Sequence, residues 1–310
     1  MRPSASCLLP PASCLLPLPS EDNVKTLADQ TVAIVGLGLM GGSLAAALRG
    51  QCKRVIGVAR RQATLDFALE HGFIDAGTSD LAEGVRDASL VILGTPVRVI
   101  IAQLADIAPH LREGCVVMDL GSTKARIVAE MDRLLPDHVQ PLGAHPMCGK
   151  ETSGIEVAEA DLYRGCTFIL TPLPRTSAET VALGRELAIT IGASPLVLEP
   201  DRQDFLVGTV SHLPYLLACA LVATADATTS KDPAAWQIVA GGYRDTSRVA
   251  GSDVKMMLDI LMTNKVHVLD AIHTFETQLQ NLTQLIEDGD EAALRETLGR
   301  IRATRREMFP

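Results

Sequence analysis

Short apolar runs alternate with longer amphipathic stretches through the first two thirds of this 310-residue chain. Residues 32–35, 54–58, 90–93, 116–118 and 139–142 are compact runs rich in Val, Ile and Leu, the pattern of strands buried on both faces. Between them lie helical segments such as 125–135, where Ile127, Val128, Met131, Leu134 and Leu135 share one face. This alternation predicts an α/β fold, a parallel sheet with covering helices. Two more runs, 167–171 and 194–198, flank a helix over 177–191 and are expected to complete the sheet. After Glu199 the period changes. Segments 205–224, 233–241, 255–263, 265–288 and 290–307 carry only helical spacing, and Val268, Ile272, Phe275, Leu279, Leu282, Leu285 and Ile286 form an apolar stripe. The expected organisation is a doubly wound domain over 27–200 and an all-helical domain over 201–310 for substrate binding and dimerisation.

Residues 1–26 differ, with Ala5-Ser6-Cys7-Leu8-Leu9-Pro10 repeated as Ala12-Ser13-Cys14-Leu15-Leu16-Pro17. Prolines cut every apolar run below the roughly 7 to 15 residues of a signal-peptide core, so a disordered tail is expected. No later segment holds the ~18 uninterrupted apolar residues of a membrane span. Residues 205–222 come nearest, broken by Ser211, His212 and Pro214. A net charge of −9 argues against nucleic acid or an anionic membrane as partner and leaves an anionic small molecule to a local basic cluster. Seven scattered cysteines without a Cys-x-x-Cys pair indicate neither a disulfide framework nor a metal site. A cytoplasmic protein fits this composition.

The first strand runs into Gly36-Leu37-Gly38-Leu39-Met40-Gly41 and then a helix over 43–49. Glycines there let the backbone turn tightly and approach a pyrophosphate, which the helix N-terminus stabilises, so a Rossmann-type dinucleotide site is expected on Gly36 to Gly41. The second strand ends Gly57-Val58-Ala59-Arg60-Arg61, without the acid that usually holds the ribose of NAD. Arg60 instead suits the extra phosphate of NADP; the plainer reading is a solvated arginine. NADP is the expected cofactor, with NAD possible.

In a parallel sheet ligands bind outside the carboxyl ends of the strands, so four loops should face one space. They are the glycine loop, Thr95-Pro96, Gly121-Ser122-Thr123-Lys124, and the stretch Gly143-Ala144-His145-Pro146-Met147-Cys148-Gly149-Lys150-Glu151. The sequence places His145 in a loop after its strand, free of packing duty and able to act as a base near neutral pH. Ser122 is a candidate to orient His145 or bind substrate, and Lys124 to add a positive charge; the plain alternative makes Ser122 or Thr123 a helix N-cap. Lys150 and Glu151 read either as an entrance to the crevice or as a charged pair on a solvated turn. In the helical domain Ser211-His212-Leu213-Pro214 interrupts an apolar helix, and 241–248 reads as a polar loop. Arg244 and Arg248, on either side of Asp245, are candidates to hold a carboxylate, with surface cations as the alternative.

Taken together, Gly36-x-Gly38-x-x-Gly41-Gly42-Ser43, Asp119-Leu120-Gly121-Ser122-Thr123-Lys124, His145-Pro146-Met147-x-Gly149, Ser211-His212-Leu213-Pro214 and Tyr243-Arg244-Asp245-Thr246-Ser247-Arg248 resemble the prephenate and arogenate dehydrogenase family over about residues 30–305. The resemblance implies NAD(P)-dependent oxidative decarboxylation of a cyclohexadienyl acid in tyrosine biosynthesis. It implies His145 as the group that hydrogen-bonds the ring hydroxyl, Ser122 as its helper, Arg248 on a substrate carboxylate, His212 in the pocket and Glu151 near its entrance. Two departures bear on the substrate: Tyr215 stands where many relatives have a second histidine, and Met257 where many bacterial ones have tryptophan. With Ala59-Arg60, the resemblance leans to the cyanobacterial-type, NADP-using arogenate enzymes. Two rivals stay open: a β-hydroxyacid dehydrogenase, which would use a lysine such as Lys265 as acid/base, and a non-catalytic dinucleotide-binding regulator.

Overall fold

The computed structural model describes residues 26–229 and 232–308. All but the last residue of the expected tail lies outside them. Eight strands form one sheet: β1 (Thr31–Val35), β2 (Arg54–Val58), β3 (Ala76–Thr78), β4 (Leu90–Leu93), β5 (Val116–Asp119), β6 (Gln140–Pro146), β7 (Thr167–Pro172) and β8 (Ser194–Val197). Their order is β3-β2-β1-β4-β5-β6-β7-β8, and the first six strands are parallel in the order of a Rossmann fold. Six helices cover them: α1 (Leu39–Ala47), α2 (Gln62–Glu70), α3 (Leu81–Arg86), α4 (Val97–Ile107), α5 (Ala125–Leu134) and α6 (Ala178–Thr190). Alternate strand residues feed two separate cores. Val32, Ile34, Leu90, Ile92 and Met118 pack with Leu44, Leu65 and Leu187 from α1, α2 and α6. Ala33, Val35, Val91, Leu93 and Val117 pack with Val85, Ile100 and Ile127 from α3, α4 and α5 on the other face.

In the sheet unit the structure departs from expectation at three places. The three-residue β3 escaped it, being too short and too glycine-interrupted to show a period. The sheet is not wholly parallel: β7 runs antiparallel to β6, and β8 then follows β7 in parallel. A parallel return needs a long crossover, usually a helix, whereas the link from β6 to β7 holds only a 3-10 turn at Ala160–Tyr163. Helix α1 starts at Leu39, inside the glycine motif rather than after it.

That β6–β7 link also packs onto α1. The hydroxyl of fully buried Tyr163 donates to the Met40 carbonyl at 2.7 Å, and the Glu159 N–H donates to Ser43 Oγ at 3.0 Å. Gly42 sits so close beneath it that an added Cβ would meet Ala158 at 3.0 Å and Ile155 at 3.2 Å.

Contacts divide the chain into two units at Pro200/Asp201. The second is entirely helical: α7 (Pro200–Val207), α8 (Leu213–Thr229), α9 (Gly241–Ser247), α10 (Val254–Thr263), α11 (Lys265–Glu287) and α12 (Glu291–Met308). Between α7 and α8 the chain widens into a π-helical turn, Gly208–His212. Pro214 supplies a cause, since it has no N–H for the α-helical bond to Val210 and its ring crowds that carbonyl. The region expected as one helix over 233–241 is a 3-10 turn at Pro233–Ile238, and the expected polar loop 241–248 is mostly helix α9. The run Pro200–Thr229 is long and apolar enough to cross a membrane by length and composition, yet it contains buried His212 and an irregular turn. Leu258, Met262, Leu269, Leu279, Leu298 and Ile301 remain exposed in a single copy.

Candidate active site

The glycine motif fits a dinucleotide at each of its three positions. Gly36 has φ +96°, a region L side chains rarely adopt, and an added Cβ would lie 2.6 Å from the Thr95 methyl. At Gly41 a Cβ would lie 1.9 Å from the Gly36 carbonyl oxygen, so only glycine lets α1 pack on β1. Around Gly38 there is no atom within 4 Å of the Cβ position. That open approach, at the N-cap of α1, is where a pyrophosphate reaches the free N–H groups. The side chains of Leu37 and Leu39 are buried, so these two residues offer a cofactor backbone rather than side-chain contacts, while Met40 is partly exposed with its carbonyl taken by Tyr163. Arg60 is exposed just past the end of β2, and no acid occupies that strand end. Beyond β4, the Thr95 hydroxyl donates to Gln103 at 2.6 Å and Pro96 is the N-cap residue of α4.

His145 is not in a loop. It is the penultimate residue of β6, paired with Ile169 of β7, and only 7% exposed. The antiparallel β7, invisible in the local pattern, prolongs β6 past the predicted Leu142. The imidazole is thus mounted on a strand at the carboxyl edge of the parallel sheet, a stiffer support than a loop. Ser122 follows β5, the neighbouring parallel strand, and is half-buried. Helix α5 begins at Ala125 with Lys124 in the N-cap position, and the Lys124 side chain does not cap it.

Lys124 is a clearer correction. Expected to offer its charge to substrate, it is 0% exposed; its Nζ bonds the Asp119 carboxylate and donates to the Ala144 carbonyl at 2.6 Å. Asp119 Oδ1 accepts from the Ala144 N–H at 3.1 Å and Oδ2 from the Gly121 N–H at 2.8 Å. Burial raises the Asp119 pKa, while Lys124 and the two N–H donors pull it back. Further along, Lys150 pairs with Glu159 at 2.7 Å, and Glu151 is exposed. Cys148 and Cys166 face each other across the start of the β6–β7 link; burial, first, and the neighbouring thiol push Cys148 up to about 12.

In the helical unit His212 is 1% exposed, within the π-helical turn. The Asn264 side chain donates to His212 Nδ1 at 3.2 Å and to the Asp204 carbonyl at 2.7 Å, and the Gln203 amide donates to Asp204 Oδ1 at 2.7 Å. With Nδ1 accepting, the proton sits on Nε2, which is buried without a hydrogen-bond partner among the described residues. Burial lowers the His212 pKa to about 4, so the ring is neutral at physiological pH. Sequence reasoning missed Asn264, which looked like a helix boundary, along with Gln203 and Asp204. Arg244 on α9 and Arg248 just after it are both exposed, as surface cations would be, with Asp245 between them. Tyr215 is partly buried on α8 with its phenol toward Cys219; burial and that thiol raise its pKa. Lys265, the residue a β-hydroxyacid dehydrogenase reading needs, is exposed at the start of α11.

Comparison with known proteins adds family-level findings. Residues 44–196 match the family model described as prephenate dehydrogenase, nucleotide-binding domain, and residues 199–300 the one described as prephenate dehydrogenase, dimerization domain. A prephenate dehydrogenase of Bacillus subtilis is 32% identical over 263 residues, 84% of this chain and 71% of that protein. The structure of prephenate dehydrogenase from A. aeolicus in complex with hydroxyphenyl propionate and NAD+ superimposes with a TM-score of 0.85 at 33% identity, covering 92% of this chain and all of the other. That of Synechocystis arogenate dehydrogenase gives 0.79 at 29% identity, covering 90% and 99%.

Proposed function

The chain belongs to the prephenate dehydrogenase family, and from that premise we propose that it oxidises arogenate in preference to prephenate, with NADP as the preferred acceptor and His145 as the base. It is a nicotinamide-dependent oxidoreductase acting on a cyclohexadienyl acid, and the β-hydroxyacid and non-catalytic readings are set aside with the family match. One observation carries the base assignment: a buried imidazole fixed at the carboxyl end of β6, on the same sheet edge as the glycine cradle.

A nicotinamide dinucleotide held on Gly36, Gly38 and Gly41 would supply the hydride acceptor for the ring carbon that carries the hydroxyl. His145, neutral, takes the proton of that hydroxyl as the carbonyl character develops and the ring carboxylate departs as carbon dioxide. Ser122 orients the hydroxyl or the imidazole. Arg248 holds a substrate carboxylate, with Arg244 adding positive potential and Glu151 standing at the entrance. His212 and Tyr215 of the helical unit are proposed as further substrate-binding residues. Lys124, buried against Asp119 and the Ala144 carbonyl, is not among the proposed substrate contacts. Arg60, in place of the missing acid, supports the cofactor preference. The apolar side chains left exposed on the helical unit support a homodimer formed through it, since monomeric soluble proteins rarely expose large contiguous apolar patches. A cytoplasmic location agrees with free thiols at all five cysteines among the described residues.

The test crosses arogenate and prephenate with NAD and NADP in a spectrophotometric assay of reduced cofactor. Arogenate with NADP should give the highest kcat/KM. Higher efficiency with prephenate, or with NAD, overturns that part of the proposal, and full activity in His145→Asn overturns the base.

A further inference from the structure

We propose that Lys124 and Asp119 together act as a positioning clamp for His145, setting the height of the imidazole at the sheet edge without touching the substrate. The inference rests on His145 being the base.

Strands β5 and β6 pair in parallel from Val116↔Gln140 to Met118↔Leu142 and then part company. Past that point Ala144 presents its N–H and C=O toward β5, where no backbone partner remains. The Asp119 carboxylate accepts that N–H, and the Lys124 ammonium donates to that C=O. The two side chains also bond each other, so the two groups of one peptide residue are held by the two ends of a single buried pair. On its other side Ala144 is in register with Leu170, and His145 with Ile169, in β7. The strand that carries the base is therefore held along both edges, by β7 on one and by the Asp119–Lys124 pair on the other.

Each component is buried: Asp119 and Lys124 are 0% exposed, and Ala144 equally so. A lysine charge this deep is costly to place unless paired, and a buried ion pair is by itself weak evidence of a stabilising role. Its location also excludes the substrate role, because Nζ is turned into the sheet edge rather than toward solvent. The pair does what an extension of the β5–β6 ladder cannot: it holds β6 in place while leaving the end of β5 free to turn away into Gly121 and Ser122. The Gly121 N–H bonds the same carboxylate, so the pair locates the Ser122 loop and the His145 strand against one reference point.

The experiment uses the full chain with Lys124→Met and with the double variant Asp119→Asn/Lys124→Met, in which no charge is left buried alone. Steady-state kcat and KM are measured with cofactor affinity by fluorescence titration, beside His145→Asn. Positioning predicts a kcat reduced on the order of 10²-fold, the scale of an ångström-sized misplacement, with KM and cofactor affinity within about threefold of the wild type. Should the single variant not fold, the double variant carries the same expectation. A raised KM at unchanged kcat would mean a substrate contact and overturn the clamp; so would wild-type kinetics with only a lowered melting temperature. If His145→Asn stays active, the base assignment fails; if it is inactive while both Lys124 variants keep their kcat, only the clamp fails.

Discussion

Acidification should strike the helical unit through His212. In the folded chain burial holds its pKa near 4, against about 6.5 when unfolded. The folded value is the lower, so between these two pH values the unfolded state binds the proton more readily. His212 therefore favours the folded state fully above pH 6.5, and that contribution is lost as the pH falls toward 4. A difference of about 2.5 pKa units corresponds to roughly 3 kcal/mol once the loss is complete, and to about 2 kcal/mol already at pH 5. The ring is 1% exposed, and its hydrogen-bond partner among the described residues is the neutral Asn264 amide. The direct assay is an NMR titration of labelled histidine, with the His212 signal identified from its absence in His212→Gln. Its midpoint should fall near 4. Urea unfolding at pH 7.5 and 5.0 should show the wild type losing about 2 kcal/mol more than His212→Gln. A midpoint above 6, or equal losses in the two proteins, would refute the reasoning.

Other outcomes follow from features of the first unit. Gly41→Ala places a methyl 1.9 Å from the Gly36 carbonyl, so α1 must shift; cofactor affinity should fall at least tenfold, and an unchanged dissociation constant would show that the helix start is looser than described. Arg60→Ala should weaken NADP binding by about 10- to 100-fold, the usual range for a charged hydrogen bond to phosphate, and NAD binding by less than twofold. With its pKa pushed up to about 12, Cys148 holds about one part in 10⁴ of thiolate at pH 8, so alkylation should be far slower than for an ordinary thiol and accelerate about tenfold per pH unit up to pH 10. Rapid labelling at pH 7 would contradict that environment.

The parts legible in the sequence are those whose chemistry is local. Gly36 and Gly41 announce themselves because one needs a positive φ and the other tolerates no Cβ, and both demands fall within six residues of a buried strand. The strands on either side alternate regularly enough to give the doubly wound sheet. What stayed hidden depends on pairings distant in sequence. Lys124 looked like a free cation until Ala144, twenty residues on, was brought beside it by the pairing of β5 and β6. His145 looked like a loop residue because β7, which extends its strand, runs against the direction the alternation implied. The π-helical turn had a visible marker in Pro214, but a proline alone does not say whether a helix kinks, ends or widens. Asn264 gave no signal, since a polar residue between two helices is the commonest of boundaries.

The strap from Ile155 to Tyr163 over α1 carries a consequence for how the chain is made. Helix α1 begins at residue 39, but the carbonyl of Met40 and the hydroxyl of Ser43 meet their partners only at Tyr163 and Glu159, more than 110 positions downstream. On the ribosome, β1 and β2 are complete long before those partners are synthesised, so the outer face of the cradle waits bare through the assembly of four further strands. Cofactor capture during translation should therefore begin only after Tyr163 has left the exit tunnel, making the dinucleotide site one of the last parts of its own domain to mature.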